Sequence, residues 1–132
     1  MKAIIVGGGK VGYYLFKTLR ENRYNVVLIE RERVLCKKIS EEIDGEIICG
    51  DGLDLEVLKD ANISRAKVVA AVTGRDEENL IICQMAKMNL NVKKTIARVN
   101  NPKNGPVFKA LGVDEIVCNT EVIWNLIEGM PV

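Results

Sequence analysis

Three glycines, a glutamate and an arginine are the residues of this 132-residue sequence whose types and spacing best suit a defined chemistry. Gly7, Gly9 and Gly12 fall in KAIIVGGGKVG, Lys2–Gly12, and spell G-x-G-x-x-G. The stretch reads as a short buried strand, Ala3–Val6, running into a glycine loop and then a helix. That context gives each glycine a task. Gly7 permits a sharp turn out of the strand, Gly9 lets a pyrophosphate come close to the backbone, and Gly12 lets the helix pack tightly against the strand. The free N–H groups at the helix start, together with the helix dipole, attract phosphate. A plain glycine turn is the alternative; the strand before and the helix after favour a dinucleotide seat.

Glu30 lies eighteen residues beyond Gly12, at the end of the apolar run VVLI. A carboxylate at that spacing accepts hydrogen bonds from the adenosine ribose, and its charge repels a 2′-phosphate, favouring NAD over NADP. Arg31 and Arg33 pull the other way, and an ordinary surface glutamate opening the next helix is the competing reading. Arg98 sits near the end of a buried strand, where an unpaired charge is costly. A phosphate would take its two parallel donors, and a carboxylate of this chain is the competitor. Asp51, in the turn Gly50-Asp51-Gly52, either meets the adenine side of a ligand or only shapes the turn. Thr73-Gly74 ends another strand, where the Thr73 hydroxyl either lines the site or caps the following helix. Tyr13 and Lys17 have the Y-x-x-x-K spacing that marks catalysis in short-chain dehydrogenases. They lie directly behind the glycine loop, the wrong place for that chemistry, and are expected to be solvated.

The elements that must position these residues alternate. Strands are expected at Ala3–Val6, Val26–Ile29, Glu46–Cys49, Val68–Val72, Lys94–Val99 and Glu115–Cys118, without polar alternation, as in a parallel sheet buried on both faces. Helices are expected at Val11–Asn22, Glu32–Ile43, Asp54–Ala61, Arg75 to about Leu90, Val107–Leu111 and Glu121–Glu128. On the first helix Val11, Tyr14, Leu15, Thr18 and Leu19 share one face. On the second, Leu35, Ile39 and Ile43 stack. The fold class is α/β: a Rossmann-like, doubly wound parallel six-stranded sheet in the order 3-2-1-4-5-6, with the ligand at the 1/4 switch point. Leu80, Ile81, Ile82, Cys83, Met85, Ala86 and Met88 make the fourth helix apolar nearly all round. Val122, Ile123, Trp124, Leu126 and Ile127 cover about 200° of the last one. The width of the fourth helix suggests a subunit interface, and the last helix is expected to dock either on its own sheet or on another subunit.

Composition sets the bounds. The chain is 48% hydrophobic and 28% charged, with a net charge of +1, so one domain with a real core is expected. The balanced charge, without a basic stripe, excludes a nucleic-acid partner. Apolar runs such as Val68–Val72 are too short to span a membrane, and no signal peptide is expected. Cys36, Cys49, Cys83 and Cys118 are scattered and read as buried thiols of an intracellular protein, with no metal site. The absence of histidine removes the commonest general acid–base group.

KAIIVGGGKVGYYLFKTL, VVLIERE, ICGDGLDLEVL, AVTGRDEENLIICQMAK and ARVNNPKNGPVFKALGVDEIVCNT together resemble, almost end to end, the N-terminal domain of TrkA-like proteins. These are the KTN or RCK nucleotide-binding domains of potassium transport. The run Ala97–Thr120 is more distinctive than the glycine loop. The resemblance implies a regulator and not an enzyme: cytoplasmic, and peripheral at the inner face of the cell membrane. It implies a cofactor, NAD or NADH with ATP or ADP as alternatives, whose state biases a membrane potassium channel or transporter. By position it places Gly7, Gly8, Gly9, Lys10, Val11 and Gly12 around the phosphates. Glu30 goes to the ribose, Asp51 and Thr73-Gly74 to the adenosine side, and Arg98 to a phosphate. It also implies a homodimer or higher ring in which the last helix, with Val122, Ile123, Leu126 and Ile127, is exchanged. Family members usually continue into a smaller ligand-binding domain; here a single domain over 1–132 is expected. Two other readings stand beside this one. The first is the cofactor half of an NAD-dependent dehydrogenase, against which count the missing histidine and substrate domain. The second is an adenine-nucleotide sensor of an unrelated pathway.

Overall fold

The apolar runs of the sequence become six parallel strands in the computed structural model, which describes residues 2–61 and 65–129. They are β1 (Lys2–Val6), β2 (Asn25–Glu30), β3 (Glu46–Cys49), β4 (Val68–Ala71), β5 (Lys94–Arg98) and β6 (Glu115–Val117). Their order across the sheet is β3-β2-β1-β4-β5-β6, the expected doubly wound arrangement. Among the described residues six helices alternate with them: α1 (Lys10–Glu21), α2 (Arg33–Glu42), α3 (Leu55–Asp60), α4 (Asp76–Asn89), α5 (Asn104–Ala110) and α6 (Asn119–Glu128).

Period-two alternation, hidden within the apolar runs, divides the core. Ala3, Ile5, Val26, Leu28, Ala70 and Val72 face Phe16 of α1 with Ile39 and Ile43 at α2. Ile4, Val6, Val27, Ile29, Val69, Ala71 and Ala97 face Leu58 of α3, Ile82, Cys83 and Ala86 of α4, and Phe108 of α5. Covering both faces of the central strands is what lets them be apolar throughout.

Four expectations are corrected. On α1 the packed residues are Gly12 and Phe16 with partly buried Leu15 and Leu19, whereas Val11, Tyr14 and Thr18 are exposed. α1 is rotated because Gly12, having no side chain, comes closest to the sheet. α5 begins at Asn104, ahead of Gly105 and Pro106. A proline is tolerated in a first turn, where its missing N–H has no helical acceptor to lose. α6 begins two residues early, and none of its residues is buried: Leu126 is 67% exposed. On α4 only Ile81 and Met88 remain as exposed large apolar residues, so its apolar surplus is mostly core. Among the described residues no helix is long and apolar enough to cross a membrane.

Candidate functional site

β1 and β4 are neighbours whose crossovers leave in opposite directions, which opens a crevice at the carboxyl ends of the strands. The crevice holds about 530 Å³ and is bordered by Gly7, Gly9, Glu30, Arg31, Asp51, Thr73, Gly74 and Arg98, among others.

The glycine loop forms its floor. Gly7 has φ +111°, and a Cβ there would press on the backbone of Thr73 at 2.9 Å. Only glycine fits that turn. A Cβ on Gly12 would overlap the carbonyl oxygen of Gly7, so loop and helix cannot close on each other with any other residue. The space beside Gly9 is open. Gly9 is the N-cap of α1 and offers no side chain to the amides of the first turn, which also lacks an acidic residue. The first turn of α4, by contrast, carries Asp76, Glu77 and Glu78. Of these two helix ends, then, α1 presents free N–H groups and an uncompensated positive dipole end to an anion.

Glu30 is 9% exposed, and both its oxygens are engaged. Oε1 accepts the Gly8 N–H at 2.7 Å and Oε2 accepts the Glu32 N–H at 2.7 Å. The carboxylate therefore ties the glycine loop to the β2–α2 turn, and each oxygen keeps a second lone pair for an incoming hydroxyl. Arg31 spans the mouth to reach Glu78 of α4 at 3.6 Å. Arg33 is exposed and does not border the crevice. Asp51 shapes its turn as expected, Oδ1 accepting the Leu53 N–H at 2.9 Å, and it borders the crevice.

The opposite wall hangs on two residues whose role sequence reasoning missed, Asn79 and Asp76. Asn79 is fully buried in α4. Its Oδ1 accepts the Thr73 N–H at 3.0 Å and the Thr73 hydroxyl at 2.7 Å. Its Nδ2 donates to the carbonyls of Thr73 at 3.1 Å and Arg98 at 2.8 Å. One amide thus pins the ends of β4 and β5 together, and it spends the Thr73 hydroxyl proton in doing so. Thr73 does not cap α4, whose N-cap is Arg75. Asp76 accepts the N–H groups of Asn100 at 2.7 Å and Asn101 at 3.0 Å, and Nδ2 of Asn104 at 2.9 Å. Burial alone would raise its pKa, but those donors and the charge of Arg98 outweigh burial and hold the carboxyl below its ordinary value. Arg98 is half-buried, borders the crevice and makes no salt bridge among the described residues. Asn79 follows the acidic run Asp76–Glu78 in the first turn of α4 and reads there as one more polar residue of a helix start. Asp76 gave no signal either, since an acidic helix start already explains itself.

The remaining candidates lie around the loop, not in the crevice wall. Gly8 gives its N–H to Glu30. Together with Lys10 it borders a second, shallower hollow of about 370 Å³ shared with Tyr13, Lys38 and Glu42. Val11 is exposed and Gly12 is buried under the loop; neither borders the crevice. Tyr13 is not simply solvated: its hydroxyl donates to Glu42 at 2.6 Å, and that bond raises its pKa. A catalytic tyrosine of the Y-x-x-x-K kind needs the reverse shift, and Lys17 points to solvent. Among the described residues no group of three His, Cys, Asp or Glu could hold a metal ion.

The TrkA-N domain profile matches residues 3–119. The chain belongs to the TrkA-N family. A relative from Methanothermobacter thermautotrophicus, described as a Trk system potassium uptake protein TrkA homolog, is 42% identical over 117 residues, which is 89% of this chain and 54% of the relative. The TrkA-N chain described here therefore spans about half that protein's length. Among solved structures, the TrkA-N domain of the inner membrane protein ybaL from Escherichia coli superposes with a TM-score of 0.86 at 21% identity, covering 98% of this chain and 96% of that one. The GsuK channel bound to NAD gives 0.79 at 19% identity, covering 88% of this chain and 21% of that one. These last two likenesses establish the TrkA-N fold independently of sequence.

Proposed function

We propose that the crevice binds NAD or NADH and that this chain is the nucleotide-reading, regulatory part of a Trk-type potassium uptake protein. The observation that carries the reading is a convergence at one sheet edge. Gly9, the N-cap of the uncapped, acid-free α1, the amide-clamped Glu30, and Arg98, which makes no salt bridge among the described residues, all border the crevice. A diphosphate suits the α1 amides and Arg98; ribose hydroxyls suit the free lone pairs of Glu30. Asp51 and Gly74 border the same crevice and would meet the adenosine half. Arg31, already engaged by Glu78, has less to offer a 2′-phosphate, so NADH is favoured over NADPH. The names of the relatives support potassium uptake as the process, and a membrane potassium transporter or channel is the proposed partner. The site would grip its ligand without transforming it: Glu30 and Asp51 are held by backbone amides, Glu78 is paired with Arg31, and the sequence has no histidine. Regulation then follows from differential affinity: a nucleotide shifts an assembly only by binding two arrangements unequally. The unpacked apolar face of α6, with Val122, Ile123, Leu126 and Ile127, is proposed to be covered by a second copy of the chain.

Calorimetric titration with NAD, NADH, NADP, ATP and ADP in parallel tests the ligand, with NADH or NAD expected to bind tightest. Selective binding of ATP or ADP would transfer the reading to an adenine-nucleotide sensor. Oxidation of bound NADH by any member of a panel of carbonyl compounds would instead restore the dehydrogenase reading.

A further inference from the structure

Cys36 and Cys49 are thirteen residues apart in sequence, yet they meet behind the Glu30 wall of the crevice. The parallel register of β2 and β3 sets Glu30 opposite Cys49. The Cys36 thiol donates to the Glu30 carbonyl at 3.2 Å, and the Cys49 thiol is directed at the carbonyl of the next residue, Arg31, at 3.9 Å. The two thiols therefore rest on the carbonyls of adjacent residues in one turn. Cys36 is buried and Cys49 is exposed. Each is the immediate chain neighbour of a residue that borders the crevice, Leu35 and Gly50 respectively. Cys83 and Cys118 are both buried, so Cys49 is the exposed thiol of the four.

We propose that Cys36 and Cys49 are a peroxide-sensitive dithiol that closes to an intrachain disulfide, and that closure weakens nucleotide binding in the adjoining crevice. The second half rests on the nucleotide reading above. The chemistry divides by exposure. Burial, and then the contact with Cys49, push the Cys36 thiol up to about 12, so it stays protonated and shielded. Cys49 meets the oxidant first. The Cys49 thiol gives up its proton, its sulfur attacks one oxygen of hydrogen peroxide, the O–O bond breaks, and the leaving hydroxide takes that proton, so the products are a Cys49 sulfenic acid and water. The Cys36 sulfur then attacks the sulfenic sulfur. An S–S bond forms, the S–O bond breaks, and the leaving hydroxide takes the Cys36 proton to give a second water. Two thiols have lost two electrons, and one peroxide has gained them. Closing the bond brings the sulfurs to about 2 Å. It also removes the thiol proton that Cys36 gives to the Glu30 carbonyl. The β2–α2 turn and the end of β3 are drawn together, which shifts Glu30, Arg31 and Gly50 from the arrangement that the Gly8 and Glu32 amides define.

The test uses the full chain, reduced and then exposed to hydrogen peroxide. Peptide mapping by mass spectrometry should find Cys36 and Cys49 linked, about 2 Da below the two free thiols and reversed by dithiothreitol. The oxidised chain should bind NADH about fivefold more weakly or worse, with recovery on reduction. Cys36→Ser and Cys49→Ser chains should bind NADH like the parent and hold that affinity through the same treatment; either variant serves if the other folds poorly. Accumulation of Cys49 sulfinic acid or of Cys49-linked dimers without the Cys36–Cys49 peptide overturns the proposal. So does a linked chain whose NADH affinity is unchanged. If the reduced chain binds no NADH, the nucleotide reading fails on its own. Hydrogen exchange at the amides of residues 30–32 and 49–51 then decides the remainder: exchange altered by the bridge supports movement of the wall, and unaltered exchange overturns it.

Discussion

Replacing Asp76 by asparagine keeps the size of the side chain and removes its charge and one acceptor. The parent carboxylate, 8% exposed, takes three donors from the β5–α5 loop and the start of α5: the Asn100 amide on Oδ1, and the Asn101 amide and Asn104 Nδ2 on Oδ2. Whichever way the new amide turns, its NH2 group faces at least one N–H donor. One hydrogen bond to a charged acceptor disappears and a buried donor is left without a partner, a loss of about 3 kcal/mol. For a chain of 132 residues that loss lowers Tm by about 10 °C. The pH dependence has a definite sign. The Asp76 carboxyl is held below its ordinary value in the folded state, so it stabilises the fold fully above the ordinary carboxylate pKa of about 4. That contribution is lost as pH falls through the lower, folded value. The gap in Tm between parent and Asp76→Asn should therefore be widest at neutral pH and narrow in acid. Scanning calorimetry across pH reads both. A neutral-pH gap under about 2 °C, or one that widens in acid, would refute the assignment of Asp76 as the clasp of that loop.

Three further outcomes are expected. Arg98→Ala should weaken NADH binding by roughly thirtyfold, about 2 kcal/mol, with little change in Tm, because Asn79 holds the backbone of Arg98 and not its guanidinium; calorimetric titration measures it. Glu30→Gln sets an amide NH2 against the Gly8 or Glu32 N–H, so Tm should fall by about 2 kcal/mol worth of stability, and the preference for NADH over NADPH should shrink. Val122→Asp with Leu126→Asp should leave the fold intact, since neither residue is buried, and should reduce the oligomer seen by gel filtration.

The sheet was legible because burial on both faces forces long apolar strands, and the glycine motif fixed where the first crossover turns. The orientation of α1 was not. Val11 and Tyr14 satisfy helical periodicity as well as Gly12 and Phe16 do, and only the close approach permitted by Gly12 decides between them. The start of α5 was hidden because Pro106 reads as a breaker when it is in fact a first-turn residue. In the site, the residues facing the crevice were readable from motif spacing, whereas the groups that hold them were not. Glu30 was read for its reach toward a ribose, but its bond to Gly8 joins positions twenty-two apart. Asn79 and Asp76 act across the β4–β5 pairing, which spacing along the chain does not reveal. Cys36 and Cys49 are neighbours only through the β2–β3 register.

A crystal structure of the chain grown with saturating NADH tests the central claim most directly. The diphosphate should lie against the amides at the start of α1 with Arg98 turned toward it, and the adenosine ribose hydroxyls should rest on Glu30. An empty crevice, or NADH bound in the hollow between Tyr13 and Glu42 instead, would contradict it.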